Sequence, residues 1–349
     1  MTEITLQEQQ ALLYDYEKGF HATYLINAGT DLGLLQTLND LESGANHSEL
    51  ASQLGLHEPY IRTWCYTAYH LGILDCNEDG RFSLAPHMGT LLTDTSSPFY
   101  FGYRPRVMVS YVADSLEKYP KDLRSGYHFF YDDLEGDYGR KFSRDVKALS
   151  NQVVPVVFMY AVIPRVPMLK EKLSAGANVL DVGCGSALLM IRLAQAYPNC
   201  EFTGIEVDPF AFDDAQRDIK DNKVEDRVSV VLANSATMNY DKDFDLVTMG
   251  FVLHEVAPDL KSSTIANCYS ALKDSGEIAI LDFAYPETIE DFRNNMYSLG
   301  IMDQFFETTW NSQHLSSQSK HKLLLEHGFK NPTTIPIADG SLEATYATK

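Results

Sequence analysis

The spacing of apolar residues changes along the chain, from a helical repeat in the first half to short apolar runs in the second. Near the start, Leu6, Leu13 and Tyr16 fall on one helical face, which predicts helices. Next come a helical pattern, a turn at Gly55, a second helical pattern and two short apolar runs around NEDG. This order predicts a winged helix-turn-helix. The stretch from Pro98 to about Lys170 is predicted to be mainly helical.

From about Ala175 onward, short apolar runs alternate with helical patterns. This alternation predicts an α/β fold: a doubly wound, Rossmann-like parallel sheet of seven strands behind a mainly helical N-terminal winged-helix domain. The last two runs are joined by DGS, a link so short that they must be antiparallel neighbours. The predicted strands read NVLDVG, EFTGIEV, RVSVVLA, FDLVTMG, EIAILDF, TTIPIA and LEATYAT.

Composition narrows the classes of function. The 349 residues carry a formal net charge of −20, which disfavours binding to nucleic acids and to anionic membrane surfaces. The longest apolar stretch is interrupted by Pro155, Pro164 and Pro167, so we expect no membrane span. The first residues are polar and acidic, unlike a signal peptide. The five cysteines are scattered without a CxxC pair. This pattern favours a cytoplasmic location and predicts no metal site.

The segment LDVGCGSA ends an apolar run and opens a helical pattern, as a nucleotide-binding loop does. Gly183 and Gly185 allow a close backbone approach, and the helix beyond them offers free N–H groups. Glu206 ends the next run, where an acid can accept both hydroxyls of a ribose. Leu188 stands where a dinucleotide loop has its third glycine, and GK[ST] is absent. Asp181, inside the first run, is also foreign to a dinucleotide loop, and an acid there can order the loop or accept a hydrogen bond from a ligand amine.

These motifs resemble those of class I S-adenosylmethionine-dependent methyltransferases. Asp181, Gly183, Gly185 and Ala187 match their first motif, Glu206 matches their second-strand acid, and FDLVTMGFVLHE and LKDSGEIAILDF match their fourth and fifth strands. The resemblance covers Ala175–Lys349 and implies S-adenosylmethionine as the cofactor. Many members carry an aspartate where this chain has Ser235. The cofactor-binding residues that the resemblance implies are Asp181, Gly183, Gly185, Glu206, Asn234, Ser235, Ala236, Gly250 and Phe251.

A winged helix followed by a helical linker and a methyltransferase domain resembles the small-molecule O-methyltransferases. This resemblance implies a dimerisation domain at 1–95, a helical linker and substrate-pocket segment at 96–170, and a cofactor-binding domain at 171–349. It also implies a homodimer and a small-molecule acceptor. In that family the catalytic base is a histidine followed by an acid after the fourth strand, which here are His254 and Glu255. The family more often has aspartate and tryptophan at the two positions after the histidine, where this chain has Glu255 and Val256.

Elementary chemistry makes a base at His254 reasonable. A phenol has a pKa of about 10 and is a poor nucleophile at neutral pH, whereas an imidazole with a pKa of about 6.5 is free to accept its proton. A histidine at this place that serves packing or cofactor contact is an equally weighted alternative. Aromatic side chains in Phe99–Tyr103, in Tyr127–Tyr131 and at Phe305, Phe306 and Trp310 are candidates for lining an apolar acceptor pocket, although ordinary core and interface packing is the favoured explanation for any one of them.

Other functions remain open from the sequence. One is a transcriptional regulator that senses a nucleoside-type metabolite, although residues 1–95 hold only Lys18, Arg62 and Arg81 against thirteen acids. Another is a nicotinamide oxidoreductase, which Leu188 disfavours. A third is an N-, C- or S-methyltransferase that works by alignment alone, because acceptor atoms of all these kinds share one fold.

Overall fold

A computed structural model describes residues 4–97, 99–126, 128 and 134–349. The chain divides into two compact units, the first ending at Asp114 and the second beginning at Ser115. The domain limits expected from the sequence, at residues 95 and 170, stay a prediction.

Helices and strands occur in an order that differs between the two units. The helices are α1 (Leu6–Asp31), α2 (Leu34–Asp40), α3 (His47–Leu54), α4 (Glu58–His70), α5 (Met88–Leu92), α6 (Tyr103–Val107), α7 (Ala113–Ser125), α8 (Gly136–Val157), α9 (Pro167–Ala175), α10 (Leu188–Ala196), α11 (Pro209–Asp221), α12 (Lys261–Ala271), α13 (Ser298–Glu307) and α14 (Ser317–Glu326). The strands are β1 (Leu74–Cys76), β2 (Phe82–Leu84), β3 (Asn178–Val182), β4 (Glu201–Glu206), β5 (Val228–Leu232), β6 (Phe244–Gly250), β7 (Leu272–Phe283), β8 (Lys330–Ile337) and β9 (Leu342–Thr348).

The first unit begins with the long helix α1, which starts in a capping box. Thr5 accepts a hydrogen bond from the backbone N–H of Glu8, and the Glu8 carboxylate accepts one from the backbone N–H of Thr5. The helix α3, a left-handed turn at Gly55, the helix α4 and the antiparallel pair β1–β2 follow in the order that the sequence predicted for a winged helix. Leu34, Leu50 and other apolar residues form the core of this unit.

The second unit contains the long helix α8, which packs against α10 and α11. Helix α8 continues through Pro155, and a π-helical turn and a 3-10 turn extend the helical stretch to Arg165. The helical stretch Gly136–Arg165 contains an 18-residue window with a mean hydropathy of 1.5, so by length and composition alone it is apolar enough to cross a membrane. Core helices of soluble proteins meet the same criterion, so one such helix is weak support for a span.

The sheet of the second unit has seven strands in the order β5-β4-β3-β6-β7-β9-β8. Strands β3 to β7 run parallel, and β9 runs antiparallel to both β7 and β8. This confirms the predicted doubly wound α/β sheet and the antiparallel final pair. The strand order reverses between β3 and β6, where a parallel sheet opens a crevice at the carboxyl ends of its strands. Strands β3, β4 and β6 carry predicted site residues at or near their carboxyl ends, which lie at this edge.

Candidate active site

The glycine loop between β3 and α10 has the backbone geometry that its sequence predicted. Gly183 and Gly185 have φ values of 66° and 53°, in the left-handed region that favours glycine. A Cβ on Gly183 would lie 2.6 Å from a methyl carbon of Val252, so a side chain does not fit. Ala187, the last residue of the motif, is also left-handed, with φ 63°. The loop therefore exposes backbone to the crevice at the start of α10.

Glu206, at the end of β4, holds the glycine loop through its carboxylate. Its Oε2 accepts a hydrogen bond from the backbone N–H of Gly185 at 2.7 Å. Its Oε1 accepts from the backbone N–H groups of Val207 and Asp208 at 2.8 and 2.9 Å. Burial raises the pKa of Glu206, although these three N–H groups work in the opposite direction. The predicted ribose acid is thus adjacent to the loop.

Asp181 is buried inside the sheet, where it interacts with the neighbouring strand. The hydroxyl of Thr248 on β6 donates to its Oδ1 at 2.6 Å. Burial raises the pKa of Asp181 to about 7, while the Thr248 hydrogen bond lowers it and the charge of Glu206 raises it further. Of the two roles that the sequence suggested, this contact favours ordering of the loop over direct contact with a ligand amine.

The segment after β5 carries the three residues predicted beside the adenine. Asn234 accepts a hydrogen bond from the backbone N–H of Ala236 at 2.8 Å, and the Ser235 hydroxyl lies 3.2 Å from that of Thr264 on α12. Val207, directly after Glu206, has an apolar side chain that is 37% exposed.

A cleft at the strand reversal brings several predicted cofactor residues together. Asp181, Gly183, Gly185 and Gly250 line it, with Ser150 and Val154 of α8 among the other lining residues. Next to Gly250, Phe251 has φ 57°, and its ring lies 4.9 Å from that of Phe283. Left-handed glycines at a helix start and a carboxylate one strand away suit the amino-acid and ribose groups of S-adenosylmethionine.

His254 lies in the loop after β6, and its partner is an acid on the next strand. It is 3% exposed, and its Nδ1 lies 2.6 Å from the Oδ1 of Asp282 at the end of β7. A neutral ring that donates from Nδ1 to a carboxylate keeps its lone pair on Nε2. Glu255, the neighbour that the sequence suggested for orienting the ring, is half-buried. The contact at Nδ1 belongs instead to Asp282.

A second histidine packs face to face with His254. The ring of His314, between α13 and α14, lies 4.4 Å from that of His254 with only 8° between their planes. Its Nε2 lies 3.0 Å from Oδ2 of Asp303 on α13, and the same oxygen lies 3.9 Å from Nε2 of His254. These three ligand-type atoms lie within 4.8 Å of one another. The two rings are thus stacked on each other, and Nε2 of His314 is hydrogen-bonded to Asp303.

The surroundings shift the pKa values of the two rings in opposite directions. Burial works against a charged His254, but Asp282, with Asp303 and Glu255 nearby, raises its pKa well above the usual range. Burial and the charge of His254 lower the pKa of His314, which its contact with Asp303 only partly offsets. Two stacked imidazoles repel each other when both are charged. The surrounding carboxylates therefore stabilise a charged His254 more than a charged His314.

Lys261 on α12 fixes the loop that carries His254, which the sequence did not predict. This buried ammonium donates to the backbone carbonyl oxygens of Leu253, His254 and Val256, the last two at 3.1 and 2.6 Å. Burial lowers the pKa of Lys261 to about 8. The one sequence feature that could have indicated this role is a lysine at the start of an otherwise uncharged helix. His254 is therefore held by both its backbone and its ring.

Of the aromatic residues predicted for the acceptor pocket, some are buried and others are exposed. Trp310 is buried and stacks on Phe142 of α8 at 4.7 Å, as a core residue does. Phe305 is 50% exposed and lies 4.7 Å from Tyr119 of α7. Phe99 is also exposed. Within the segment 127–131 only His128 belongs to the described residues.

Comparison with known proteins finds a methyltransferase domain in the second unit. Residues 180–278 match the family model of a methyltransferase domain. The L-tyrosine C(3)-methyltransferase of Streptomyces lavendulae is 25% identical over 279 residues, which cover 76% of this chain and 72% of that protein. The demethylmenaquinone methyltransferase of Listeria welshimeri is 30% identical over 117 residues, which cover 33% of this chain and 48% of that protein.

Solved structures share the fold along nearly the whole chain. The mitomycin 7-O-methyltransferase MmcR has a TM-score of 0.78 at 19% identity, with 98% of each chain covered. Human N-acetylserotonin methyltransferase, solved with S-adenosylmethionine, has a TM-score of 0.75 at 17% identity, also with 98% of each chain covered. At these identities the likeness shows the fold.

The sheet, the glycine loop and the matched domain define the class of protein, which is a class I methyltransferase. The chain is an enzyme that uses S-adenosylmethionine as its cofactor, as its motifs predicted. The first-unit winged helix and the roles of individual site residues stay predictions.

Proposed function

We propose that the enzyme methylates a hydroxyl group of a small aromatic or apolar metabolite, with His254 as the base. The observation that carries this proposal is the 2.6 Å contact between His254 Nδ1 and Asp282, which orients Nε2 as the proton acceptor. S-adenosylmethionine supplies a methyl group on a sulfonium, which needs little activation. Removal of the acceptor's proton and in-line alignment are what the protein has to add.

The protein's own residues divide this work between two sides of the cleft. Glu206 and the loop at Gly183–Gly185 hold the ribose and the amino-acid end of the cofactor, and Asn234 with Ser235 borders the adenine. Gly250 leaves space at the end of β6, because a Cβ there would lie 2.8 Å from Val154. His254 accepts the acceptor's proton at Nε2 while Asp282 stabilises the charged ring. Glu255 adds negative charge beside it.

A ring carbon next to a phenolic hydroxyl is a second candidate acceptor. The relative from Streptomyces lavendulae is named as an L-tyrosine C(3)-methyltransferase. Deprotonation of a phenol makes its oxygen and the adjacent carbon nucleophilic, so the same base serves both outcomes. A transfer to carbon would leave the hydroxyl free in the product.

A panel of acceptors tests the proposal directly. The protein is incubated with S-adenosylmethionine and each of L-tyrosine, tyramine, catechol and caffeic acid, and the release of S-adenosylhomocysteine is followed. We expect release with at least one phenol and none with its dehydroxylated counterpart. NMR of the product then distinguishes an O-methyl from a C-methyl group. Transfer only to amines or thiols that carry no hydroxyl would contradict the proposal.

A homodimer in the cytoplasm is the assembly that we propose. Helix α1 exposes large apolar side chains such as Leu6, Leu13 and Tyr16, which are 81%, 66% and 64% exposed. Exposed apolar surface of this kind is typical of an interface. Light scattering should give about twice the chain mass of 39.2 kDa. A monomer mass at micromolar concentration would contradict this assembly.

A further inference from the structure

The proton that His254 accepts has to leave again before the next turnover, a requirement that rests on the proposed function. His254 is 3% exposed, and Asp282, which contacts its Nδ1, is buried to the same degree. The hydrogen bond at Nδ1 therefore leads into the interior. Any short route to solvent has to begin at Nε2.

Asp303 lies on that side of the ring and reaches solvent. Its Oδ2 is 3.9 Å from Nε2 of His254, and its side chain is 29% exposed. The separation is about 1 Å longer than a charge-assisted hydrogen bond. Neither the sequence motifs nor the comparisons assign a role to this residue.

We propose that Asp303, held in place by His314, is the group through which the proton passes from His254 to solvent. In transfer to oxygen, the acceptor's O–H bond breaks as a bond forms between its oxygen and the methyl group. In transfer to the adjacent ring carbon, the O–H bond breaks as the carbon–methyl bond forms, and the ring carbon then loses its hydrogen as a proton while the oxygen regains one, so one proton is released in either case. The bond between that methyl group and sulfur breaks with its electron pair staying on sulfur. The proton goes to Nε2 of His254, and after product release it passes along the Asp303 carboxylate to water.

His314 acts in this scheme as a positioning residue. Its Nε2–H donates to the same carboxylate oxygen of Asp303 at 3.0 Å, while its ring covers one face of His254. The His314 backbone N–H also donates to the side chain of Gln304 on α13 at 2.6 Å. The neutral second ring thus holds the carboxylate near Nε2 without adding a competing positive charge.

Several other charged side chains lie near His254, on the helices and strands that pack around it. Lys261 is occupied by backbone carbonyl oxygens, and Lys320 contacts Glu343 at 2.6 Å. Asp303 combines closeness to Nε2 with access to water. The titratable groups around the ring are Glu255, Lys261, Asp282, Asp303, Glu307, His314 and Lys320.

NMR of the full chain bound to S-adenosylhomocysteine tests the route without any methyl acceptor. The exchange of the His254 ring proton with water is measured, together with the pKa of each ring. In Asp303→Asn we expect exchange to slow by about 10-fold, and small diffusible bases such as imidazole to restore it. We also expect the pKa of His254 to fall by about one unit or more, because an opposite charge is lost.

Matched variants separate the route from simple damage to the fold. Asp213→Asn removes an exposed carboxylate of α11 and should behave as the wild type. Asp303→Glu keeps a carboxylate and should retain fast exchange. His314→Phe keeps a ring for stacking but cannot donate to Asp303, so its exchange should be intermediate.

Unchanged exchange and an unchanged His254 pKa in Asp303→Asn would overturn the proposal. Slow exchange that added imidazole does not restore would overturn the proton route as well. Wild-type exchange in His314→Phe would remove His314 from the route. These results do not depend on turnover, so they are distinct from a failure of His254 to act as the base.

Discussion

The proposed cofactor side of the site and its proposed acceptor side are held together by different kinds of contact. On the cofactor side, the glycine loop and Glu206 lie 21 residues apart and are joined through backbone N–H groups. On the acceptor side, His254 contacts Asp282, His314 and Asp303, side chains from β7, the segment before α14 and α13. A site made of backbone is specified by local sequence, whereas a site made of distant side chains depends on how the elements pack. Variants on one side should therefore leave the other side intact.

The largest expected effect comes from His254→Ala on the acceptor side. We expect methyl transfer to fall by about 10²–10⁴-fold, the usual contribution of a general base. The affinity for S-adenosylhomocysteine should stay unchanged, since the Glu206 contacts do not involve His254. Calorimetry and initial rates check this. A parallel loss of cofactor affinity would show that the two sides are not independent.

Asp282→Asn should have the next largest effect, because an amide does not fix the ring's proton on Nδ1. We expect transfer to fall by about 10²-fold or more. Asp282 raises the pKa of His254, so in the wild type the rate should rise with pH at values above neutrality. In the variant that rise should move to lower pH. Glu255→Gln is the matched control with a much smaller loss, and equal losses in both variants would argue against a special role for Asp282.

Glu206→Ala probes the cofactor side. We expect binding of S-adenosylhomocysteine to weaken by roughly 1.5–3 kcal/mol, which is the contribution of hydrogen bonds to a charged group. The pKa of His254, followed by NMR, should not change, because charges on its own side of the cleft determine it. A His254 pKa that moves with this substitution would break the comparison.

The smallest expected effect is on thermal stability, and it comes from Glu307, one of several carboxylates close together on the acceptor side. Burial, with Asp303 and Glu255 nearby, raises the pKa of Glu307 to about 8. Since the folded state then holds this proton more tightly, stability falls as pH rises from the unfolded pKa of about 4.5 through about 8. Glu307→Gln should match the wild type in Tm at acidic pH and exceed it at about pH 9. A Tm gain of equal size at every pH would exclude this linkage.

The sequence was sufficient for the strands and for the backbone geometry of the glycine loop. The runs around Asp181 and Glu206 became β3 and β4 because alternation and apolar content are local properties. For orienting His254 it offered only the nearest candidate, Glu255, because nearness in the chain was the only guide. Asp282 ends a neighbouring strand at the same edge, a relation that only the strand order supplies.

The carboxylate of Glu206 has consequences for how fast the cofactor binds. A carboxylate has about four acceptor positions, and three are already occupied by N–H groups of Gly185, Val207 and Asp208. A ribose offers two hydroxyl donors, so the N–H group of Gly185 has to share or release its position as the sugar arrives. We therefore expect association below the diffusion limit, with a rate that reports on a small opening of the loop. Stopped-flow fluorescence should show an observed rate that levels off at high cofactor concentration.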